Sequence, residues 1–495
     1  MQEAWARNFT SHETCGPISR LYEIGRSTEG RPLLVLEISD RPTVPEPEPK
    51  FKVVANIHGN EPVGRQMVVY LADLLCRGFT EGDPAVAPLV RDMRTHLLLS
   101  MNPDGFAKKK RENARSRDLN RDFPDPNLRG SHEPAGLAPS GNEQVETRNV
   151  MDWSLREKFT ASLAFHEGAF VVNYPNDAGK DIRSRAYSAA PDDETFKWLA
   201  LGYARLNPNM MADKEFNGRG ITNGAEWYPV TGGMQDWNYY AAKSFDLTLE
   251  VSSRKWPPTG ELPRLWQENR GGMLETMRRV GPGGGLHGGV TDAAGGDALP
   301  GTRVQVDGID WTTETGSLGD FHRPLVPGKG YFVTASLAGY EAQTVGPLEV
   351  REGERLELDF KLVKKGGGSG KEDDGATTSA TRPSRTDALV SSRGGGSVEG
   401  KGGFSSTNAI AAAKEARDAA AVLPADATPQ ARAPSLADSL HIQSVGGQYT
   451  DMLMRRSSAI TALSAVGLVV LLFMAVQGRR AVRRSRVQRP VQLPV

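Results

Sequence analysis

A histidine and a glutamate stand three residues apart in the stretch HGNE, at His58 and Glu61. They follow the apolar run 51–57, which predicts a buried strand, and precede residues 63–75, whose apolar positions repeat at helical spacing. The pair therefore lies in a strand-to-helix turn, where side chains of an α/β sheet face a ligand crevice. The alternative is a turn histidine beside a glutamate that complements the helix dipole.

A catalytic zinc site needs three protein ligands and one open position, so this pair requires a third ligand. His166 is the candidate, because it ends the apolar run 161–165 and can face the same crevice. A capped histidine at a strand end is the alternative. In FDLTLEVSS, Glu250 lies on the polar face of a predicted strand, and a solvated edge would explain it when taken alone.

Strand-like runs alternate with longer helical patterns over residues 1–283, which predicts an α/β domain with a mostly parallel or mixed sheet. The predicted strands and the clearest helix lie at residues 33–38, 52–57, 96–101, 161–166, 245–251 and 141–159. After a glycine-rich break, residues 284–363 carry short alternating runs spaced by Gly, Pro and Asp. These runs, which include 302–306, 331–335 and 355–362, predict a small β-sandwich.

The remaining residues predict a membrane anchor. Residues 364–458 form a low-complexity linker in which only 409–422 has helical character. Residues 459–477 are apolar and long enough to span a bilayer, whereas a buried core helix would need a further domain around it. Arginines cluster in the basic tail 478–495, so the positive-inside rule predicts a single-pass type I protein with its catalytic part lumenal or extracellular.

Composition, the N-terminal residues and the cysteines bear on the protein's partners and compartment. Lys+Arg and Asp+Glu number 60 each, so no basic field predicts nucleic-acid binding. The first 16 residues contain no apolar leader, so either the start is truncated or insertion depends on the C-terminal segment. Asn8 begins a glycosylation sequon. Cys15 and Cys76 exclude a disulfide-dense scaffold, and we expect Cys76 to be a buried thiol in the predicted helix.

Five motifs occur in chain order: HGNEPVGR, DLNRDFPD, LAFHEGAFVVNYPND, GITNGAEWYPVTGGMQDWNY and LTLEVSSRKWPP. With them, the chain resembles the zinc metallocarboxypeptidase family, in the N/E or regulatory branch that includes carboxypeptidases D, E, M and N. The resemblance runs over residues 19–363, because GGVTDAAGGDALPGTRVQVDGI and GDFHRPLVPGKGYFVTASLAGY resemble that branch's transthyretin-like β-sandwich. It implies a carboxypeptidase-like mixed sheet flanked by helices and one Zn²⁺ per chain.

The resemblance also implies roles at the reacting centre. His58, Glu61 and His166 match the family's zinc ligands. Glu250 matches the general acid/base that takes a proton from the zinc-bound water and later delivers it to the leaving amine. Arg111 matches the arginine that polarises the scissile carbonyl and stabilises the oxyanion.

The substrate-binding residues follow from the same resemblance. Asn120 and Arg121 match the pair that grips the terminal carboxylate of the substrate, and Tyr228 matches the mobile tyrosine that closes over it. Asp177 matches the acidic residue that selects a basic side chain. Gln235 stands at a pocket position that is acidic in the digestive enzymes for basic residues.

Some alternatives stay open at this point. Arg111 could belong to a solvated charged loop, Arg121 could pair with a neighbouring aspartate, Tyr228 could be ordinary packing, and Asp181 could supply the pocket charge in place of Asp177. Glu167 departs from the glycine that the branch usually has after the third ligand, which adds a carboxylate beside the metal.

The resemblance implies a membrane-anchored exopeptidase that removes C-terminal Lys or Arg from peptides or proteins by metal-activated water attack. One rival is an inactive receptor module that captures C-terminal carboxylates without metal, and the three ligands together with Glu250 speak against it. The other rival is a metallocarboxypeptidase of non-basic specificity, on which only the pocket residues bear.

Overall fold

A mixed sheet of eight strands organises the larger part of the molecule. The structure, a computed structural model, describes residues 1–129 and 134–366 and the backbone of a short strand at Val390–Ser392. The strands of the large sheet are β1 (Ser19–Arg26), β2 (Pro32–Ile38), β3 (Lys50–Val54), β4 (Arg94–Leu98), β5 (Ala161–His166), β6 (Phe170–Tyr174), β7 (Ile221–Asn223) and β8 (Phe245–Val251). They lie in the order β1-β2-β4-β3-β5-β8-β6-β7.

The four central strands, β4, β3, β5 and β8, are parallel, and the outer pairings are antiparallel except for β6 with β7. The predicted mostly parallel or mixed sheet is therefore confirmed. Every residue of β5 and β8 is buried. The polar face predicted for residues 245–251 is thus enclosed in the protein and is not a solvated edge.

Helices connect and cover these strands. They are α1 (Gln2–Thr10), α2 (Val63–Glu81), α3 (Ala87–Arg91), α4 (Pro103–Lys108), α5 (Pro126–Arg129), α6 (Val145–Glu157), α7 (Asp193–Ala204), α8 (Pro208–Ala212), α9 (Gly224–Trp227), α10 (Met234–Tyr240) and α11 (Leu262–Val280). The buried residues of α2 and α11 share one apolar core with the strands. α2 ends at Gly82, whose φ of 69° suits the left-handed position after a helix.

Cys15 and Cys76 form a disulfide, so the expectation of a buried free thiol was wrong. Their Cα atoms lie 5.6 Å apart although 61 residues separate them in sequence. The pairing depends on tertiary structure: Cys15 precedes β1, Cys76 lies in α2, and the Gln2 amide donates a hydrogen bond to the backbone oxygen of Arg65 at 3.0 Å. These contacts bring the N-terminal segment onto α2.

A second, β-rich part follows α11 and has its own apolar core. Its strands are β9 (Leu286–Asp292), β10 (Arg303–Val306), β11 (Thr312–Glu314), β12 (Asp320–Arg323), β13 (Gly330–Ser336), β14 (Gln343–Glu349), β15 (Leu356–Leu358), β16 (Phe360–Leu362) and β17 (Val390–Ser392). One sheet has the order β11-β10-β13-β14, and the other has the order β12-β9-β15-β17, with β16 also pairing with β9. The predicted strand 355–362 is interrupted at Asp359, whose carboxylate accepts a hydrogen bond from the backbone N–H of Gly289.

Two buried contacts join the β-rich part to the α/β part. The Arg323 guanidinium lies 2.8 Å from the Asp192 carboxylate, and neither side chain is exposed to solvent. The Trp311 ring stacks on Tyr239 with 5.1 Å between centroids. Because a buried ion pair is costly to break, these contacts hold the two parts together.

Part of the predicted C-terminal organisation lies outside the described residues. This applies to the helix at 409–422, the membrane span at 459–477 and the basic tail at 478–495. Three residues of the predicted linker, Val390–Ser392, pair antiparallel with β15. Among the residues that the structure describes, no helix is both long enough and apolar enough to cross a membrane.

We predict that loss of the Cys15–Cys76 disulfide lowers the free energy of unfolding by about 2–4 kcal/mol, because the bond closes a long loop in the unfolded chain. Guanidinium unfolding of the oxidised protein and of the Cys15→Ser/Cys76→Ser double variant measures the difference. The reduced unsubstituted protein is the control and should match the double variant. Equal unfolding midpoints for oxidised and reduced protein would contradict the bond.

Candidate active site

The turn that carries His58 and Glu61 is held by one buried asparagine. Asn56 adopts a left-handed backbone conformation with φ of 63° directly after β3. Its amide nitrogen lies 2.7 Å from the His58 carbonyl oxygen and 3.1 Å from that of Glu61. The predicted strand 51–57 therefore ends at Val54, since the chain turns here to present both side chains.

Three side chains converge at the carboxyl ends of β3 and β5. The carboxylate of Glu61 lies 3.0 Å from Nδ1 of His58 and 3.2 Å from Nδ1 of His166, and all three side chains are buried. One ligand atom from each residue lies within 4.8 Å of the others. Burial would raise the pKa of Glu61, but hydrogen bonds from His166 and His58 outweigh it and hold the pKa well below its usual range.

Asp118 orients the first histidine. Its Oδ1 lies 3.1 Å from Nε2 of His58. A carboxylate can only accept, so the Nε2–H group of His58 donates to Asp118. Ligating histidines are commonly fixed by such a carboxylate partner.

Two cations approach the remaining oxygen of Glu61. Arg111 Nη1 lies 3.3 Å from Oε1, and Lys255 Nζ lies 2.6 Å from the same atom. The Nε–H group of Arg111 also donates to Asp118 at 2.9 Å. Arg111 is therefore tied to the site by two carboxylates and is not part of a freely solvated loop.

Glu167 follows His166 at the position where the regulatory branch usually has glycine. Its carboxylate accepts hydrogen bonds from backbone N–H groups. Its oxygens accept hydrogen bonds from the N–H groups of Val63 at 2.5 Å and Trp256 at 3.1 Å. The first caps the start of α2, and the second fixes the turn after β8. The backbone N–H of Glu167 donates to the carboxylate of Glu61 at 3.2 Å, so Glu167 helps to position the Glu61 side chain.

Glu250 is the register partner of His166 across β5 and β8. Its side chain is buried, and its Oε2 has no hydrogen-bond partner among the described residues. Burial raises the pKa of Glu250 to about 7, although the nearby His166 opposes this shift. A buried carboxyl of this kind can exchange a proton with a reacting group near neutral pH.

Asp177 lies at the other end of the site, after β6. Its Oδ1 accepts hydrogen bonds from the amides of Asn173 at 3.0 Å and Gln235 at 2.9 Å. A Cβ atom at Gly224 would lie 2.1 Å from this oxygen, so a glycine is needed there. Burial raises the pKa of Asp177 to about 7 against the hydrogen bond from Asn173.

Gln235 lies behind Asp177. Its Nε2 donates to Asp177, and its Oε1 accepts a hydrogen bond from the backbone N–H of Thr248 at 3.0 Å. Gln235 is not among the residues that line the cavity described below. The resemblance implied a position in direct contact with the pocket, so the structure differs from that expectation. The next residue, Asp236, accepts the backbone N–H of Asp177 at 2.9 Å, and burial together with Asp177 raises its pKa.

Asn120 and Arg121 lie in the short turn that follows Asp118. The Asn120 side-chain oxygen accepts the backbone N–H of Met234 at 2.9 Å, which joins this turn to α10. The guanidinium of Arg121 donates to the backbone oxygen of Asn120 at 2.7 Å and is otherwise solvent-facing. Tyr228 is 37% exposed, so its ring has room to move.

One cavity of about 230 Å³ collects these side chains. From the sequence-derived set it is lined by His58, Glu61, Arg111, Asn120, Arg121, His166, Asp177, Tyr228 and Glu250. We call this space the active-site cavity. Asp181, the alternative source of pocket charge, is exposed and is not among its lining residues.

Comparison with known proteins agrees with this geometry. The zinc carboxypeptidase family model matches residues 3–272, and the carboxypeptidase regulatory-like domain model matches residues 285–363. The chain belongs to the zinc carboxypeptidase family. Its described part combines a carboxypeptidase-like α/β fold with a β-rich regulatory domain.

Several carboxypeptidases are similar over most of this chain. Carboxypeptidase SOL1 of Arabidopsis thaliana is 45% identical over 343 residues, which cover 68% of this chain and 66% of the relative. Carboxypeptidase D of Rattus norvegicus is 38% identical over 385 residues, which cover 70% of this chain and 27% of that relative. The Rattus norvegicus carboxypeptidase N catalytic chain is 38% identical over 384 residues, which cover 71% of this chain and 83% of that relative. The chain thus spans less than two thirds of the first two relatives.

The donor set fits one Zn²⁺. Two imidazoles and one carboxylate are the usual borderline ligands of a catalytic zinc, and they leave a position open toward the active-site cavity. Asp118 supplies the outer carboxylate that such a site uses. His58, Glu61 and His166 would hold the ion.

The sequence did not point to four supporting residues: Asp118, Asn173, Asp236 and Lys255. Asp118 and Asp236 stand inside quoted motifs, DLNRD and MQDW, so their place near the site had a local signal. Lys255 stands five residues after Glu250 in EVSSRKW, and its contact with Glu61 depends on a turn that the sequence pattern does not specify.

We predict that His166→Ala loses bound zinc and turnover together, because two ligands remain from three. Glu250→Gln should keep zinc and lose turnover, because its carboxylate is not one of the converging ligands. Metal analysis by mass spectrometry and an exopeptidase assay measure the two effects. Near-normal turnover in Glu250→Gln would show that another group moves the proton.

Proposed function

We propose that the chain is a zinc-dependent exopeptidase that removes C-terminal lysine or arginine from peptides or proteins. One observation supports the specificity: the buried carboxylate of Asp177 lines the active-site cavity with neutral amides as hydrogen-bond partners. A guanidinium or ammonium entering this pocket would give the carboxylate a direct counter-charge. A neutral or acidic side chain would leave it uncompensated.

The terminal carboxylate of the substrate has its own partners in this proposal. Arg121 offers a planar donor fork at the cavity wall, and Asn120 stands beside it. Tyr228 lines the cavity and is 37% exposed, and it would close over the bound end. Recognition of a free carboxylate restricts cleavage to the last peptide bond, which makes the enzyme an exopeptidase.

The chain's own residues then act on that bond. When bound, zinc supplies Lewis acidity and lowers the pKa of a water ligand. Glu250 lines the cavity with an unpaired Oε2 and would accept a proton from the attacking water and pass it to the leaving amine. Arg111 donates hydrogen bonds to the carbonyl oxygen as negative charge develops there. Water attacks directly, so no covalent intermediate with the enzyme is needed.

Two rivals are less well supported. A metal-free receptor module has no use for three converging ligands with an outer carboxylate on His58. A carboxypeptidase of non-basic specificity would bury the charge of Asp177 beside an apolar or acidic substrate side chain. The residues that would hold the metal and act on the scissile carbonyl are the same for basic and non-basic specificity. Only the residues around the substrate side chain therefore distinguish the two specificities.

The test of specificity is Asp177→Ala. We expect it to lower kcat/KM for C-terminal Arg and Lys about 30-fold or more, because an unpaired buried charge costs roughly 2–5 kcal/mol. Zinc content and slow cleavage of C-terminal Phe should stay nearly constant.

Asp181→Ala is the matched control, because Asp181 is exposed and outside the cavity, and it should change none of these rates. Equal losses on basic and apolar substrates would assign Asp177 a structural role. Preference of the unsubstituted enzyme for apolar or acidic ends would favour the non-basic rival.

We further propose a type I membrane protein whose catalytic part faces the lumen or the outside, with the β-rich domain folded as a transthyretin-like sandwich. The apolar residues 459–477, followed by a basic tail, support the topology. The Cys15–Cys76 disulfide supports the compartment, because such bonds persist in oxidising environments. Asn8 of the sequon is exposed on α1.

We expect the full chain to resist carbonate extraction from membranes. Protease added to intact vesicles should remove a C-terminal tag and spare an N-terminal one, since the arginines keep the tail in the cytosol. Replacement of residues 459–477 by a Gly/Ser sequence is the control and should release the protein. Protection of the C-terminal tag would overturn the topology.

A further inference from the structure

The active-site cavity contains a cation that the proposed reaction does not use. Lys255 lines this cavity, and its side chain is 42% exposed. Its ammonium lies 2.6 Å from Oε1 of Glu61, and a Cβ at Gly168 would lie 3.6 Å from its Cε. The amine therefore lies over the metal ligands with a long side chain that can reach into the cavity.

The backbone that carries Lys255 is fixed. The N–H of the next residue, Trp256, donates to Glu167, whose other oxygen caps α2 through Val63. The Trp256 ring stacks on Phe106 with 5.2 Å between centroids and 17° between planes. These contacts hold the turn against α4 and, through Glu167, against the start of α2, so the backbone keeps Lys255 near the site.

The sheet order shows which part of a substrate would meet this ammonium. At the carboxyl ends the order is β3, β5, β8 and β6, so Glu61 lies on one side of Glu250 and Asp177 lies on the other. In the proposed function the C-terminal side chain enters the Asp177 side, and the scissile bond lies at the centre. The residue before that bond then lies over the β3 side, where Lys255 is held.

Lys255 pairs with Glu61 in the structure and also acts through its charge on the carboxyl of Glu250. Glu61 is its partner in the structure, but a metal ion bound to Glu61 would compete for that carboxylate. The carboxylate of Glu167 already accepts two backbone N–H groups. Lys109 adds a second cation 5.1 Å from the Trp256 ring. With Glu61 engaged by a metal ion, the ammonium of Lys255 would be available to a substrate group.

We propose that Lys255 recognises the penultimate residue of the substrate and favours an acidic side chain there, an inference that rests on the proposed exopeptidase function. Such a contact would make the penultimate side chain a second determinant of specificity, in addition to the C-terminal side chain bound at Asp177. Peptides that end in Glu-Arg or Asp-Arg would be preferred over those that end in Gln-Arg, and Lys-Arg ends would be disfavoured.

The test compares peptides that differ only at the penultimate residue, ending in Glu-Arg, Gln-Arg or Lys-Arg. For the zinc-loaded full chain we expect kcat/KM for Glu-Arg to exceed that for Gln-Arg about fivefold, the range of a partly exposed ion pair. Lys255→Gln should bring the two values together, and Lys255→Glu should reverse the order of Glu-Arg and Lys-Arg. The preference should shrink at high salt.

Arg254→Gln is the matched control. Arg254 stands in the same turn, is 69% exposed and lies 3.6 Å from Glu261, outside the cavity lining. Its loss removes the same charge and should leave the penultimate preference unchanged. Dissociation constants of the same peptides with the Glu250→Gln variant give a second readout that needs no turnover.

The outcomes separate the two proposals. Cleavage of none of the Arg-ending peptides would overturn the proposed function itself. Cleavage of all three with equal kcat/KM, or a preference that persists in Lys255→Gln, would overturn the role of Lys255 and leave the exopeptidase function standing. A similar loss of preference in Arg254→Gln would assign the effect to the general field of this surface.

Discussion

Parallel pairing of β3, β5 and β8 is the constraint on which the active site depends. It places a strand-to-helix turn, a terminal histidine and a buried glutamate at neighbouring positions on one edge. The register makes Glu250 the direct partner of His166, so the separation between these two side chains is set by backbone hydrogen bonds. A slip of one residue would turn one of these side chains to the opposite face of the sheet.

That arrangement buries two carboxylates close together, which costs free energy unless each is compensated. Glu61 is compensated by the two imidazoles and two cations that approach it. Glu250 has less compensation, and its pKa rises accordingly. The two acids thus differ in environment: one is kept ionised for a metal, and the other is poised to exchange a proton.

The residues that could be predicted from the sequence are those with a strong local context. His58, Glu61, His166 and Glu250 each stand at the end of an apolar run or within an alternating strand, and their motifs occur in family order. The disulfide and Lys255 could not be predicted, because both depend on where distant segments meet. Boundaries were less accurate where side chains interrupt the pattern: Asn56 ends β3 early, and Asp359 divides a predicted strand into β15 and β16.

The hydrogen bonds around Asp177 show how its carboxylate depends on the residue at position 235. The resemblance implies that the digestive branch places its acid at the position of Gln235, whereas the acid proposed here is Asp177. In this structure the Gln235 amide donates to Asp177 and accepts from Thr248, so it needs both a donor and an acceptor. A carboxylate at position 235 could not donate, and it would add a third buried carboxyl group beside Asp177 and Asp236, whose pKa values are already raised. The amide at position 235 therefore provides Asp177 with a hydrogen-bond donor without adding a further buried carboxyl group.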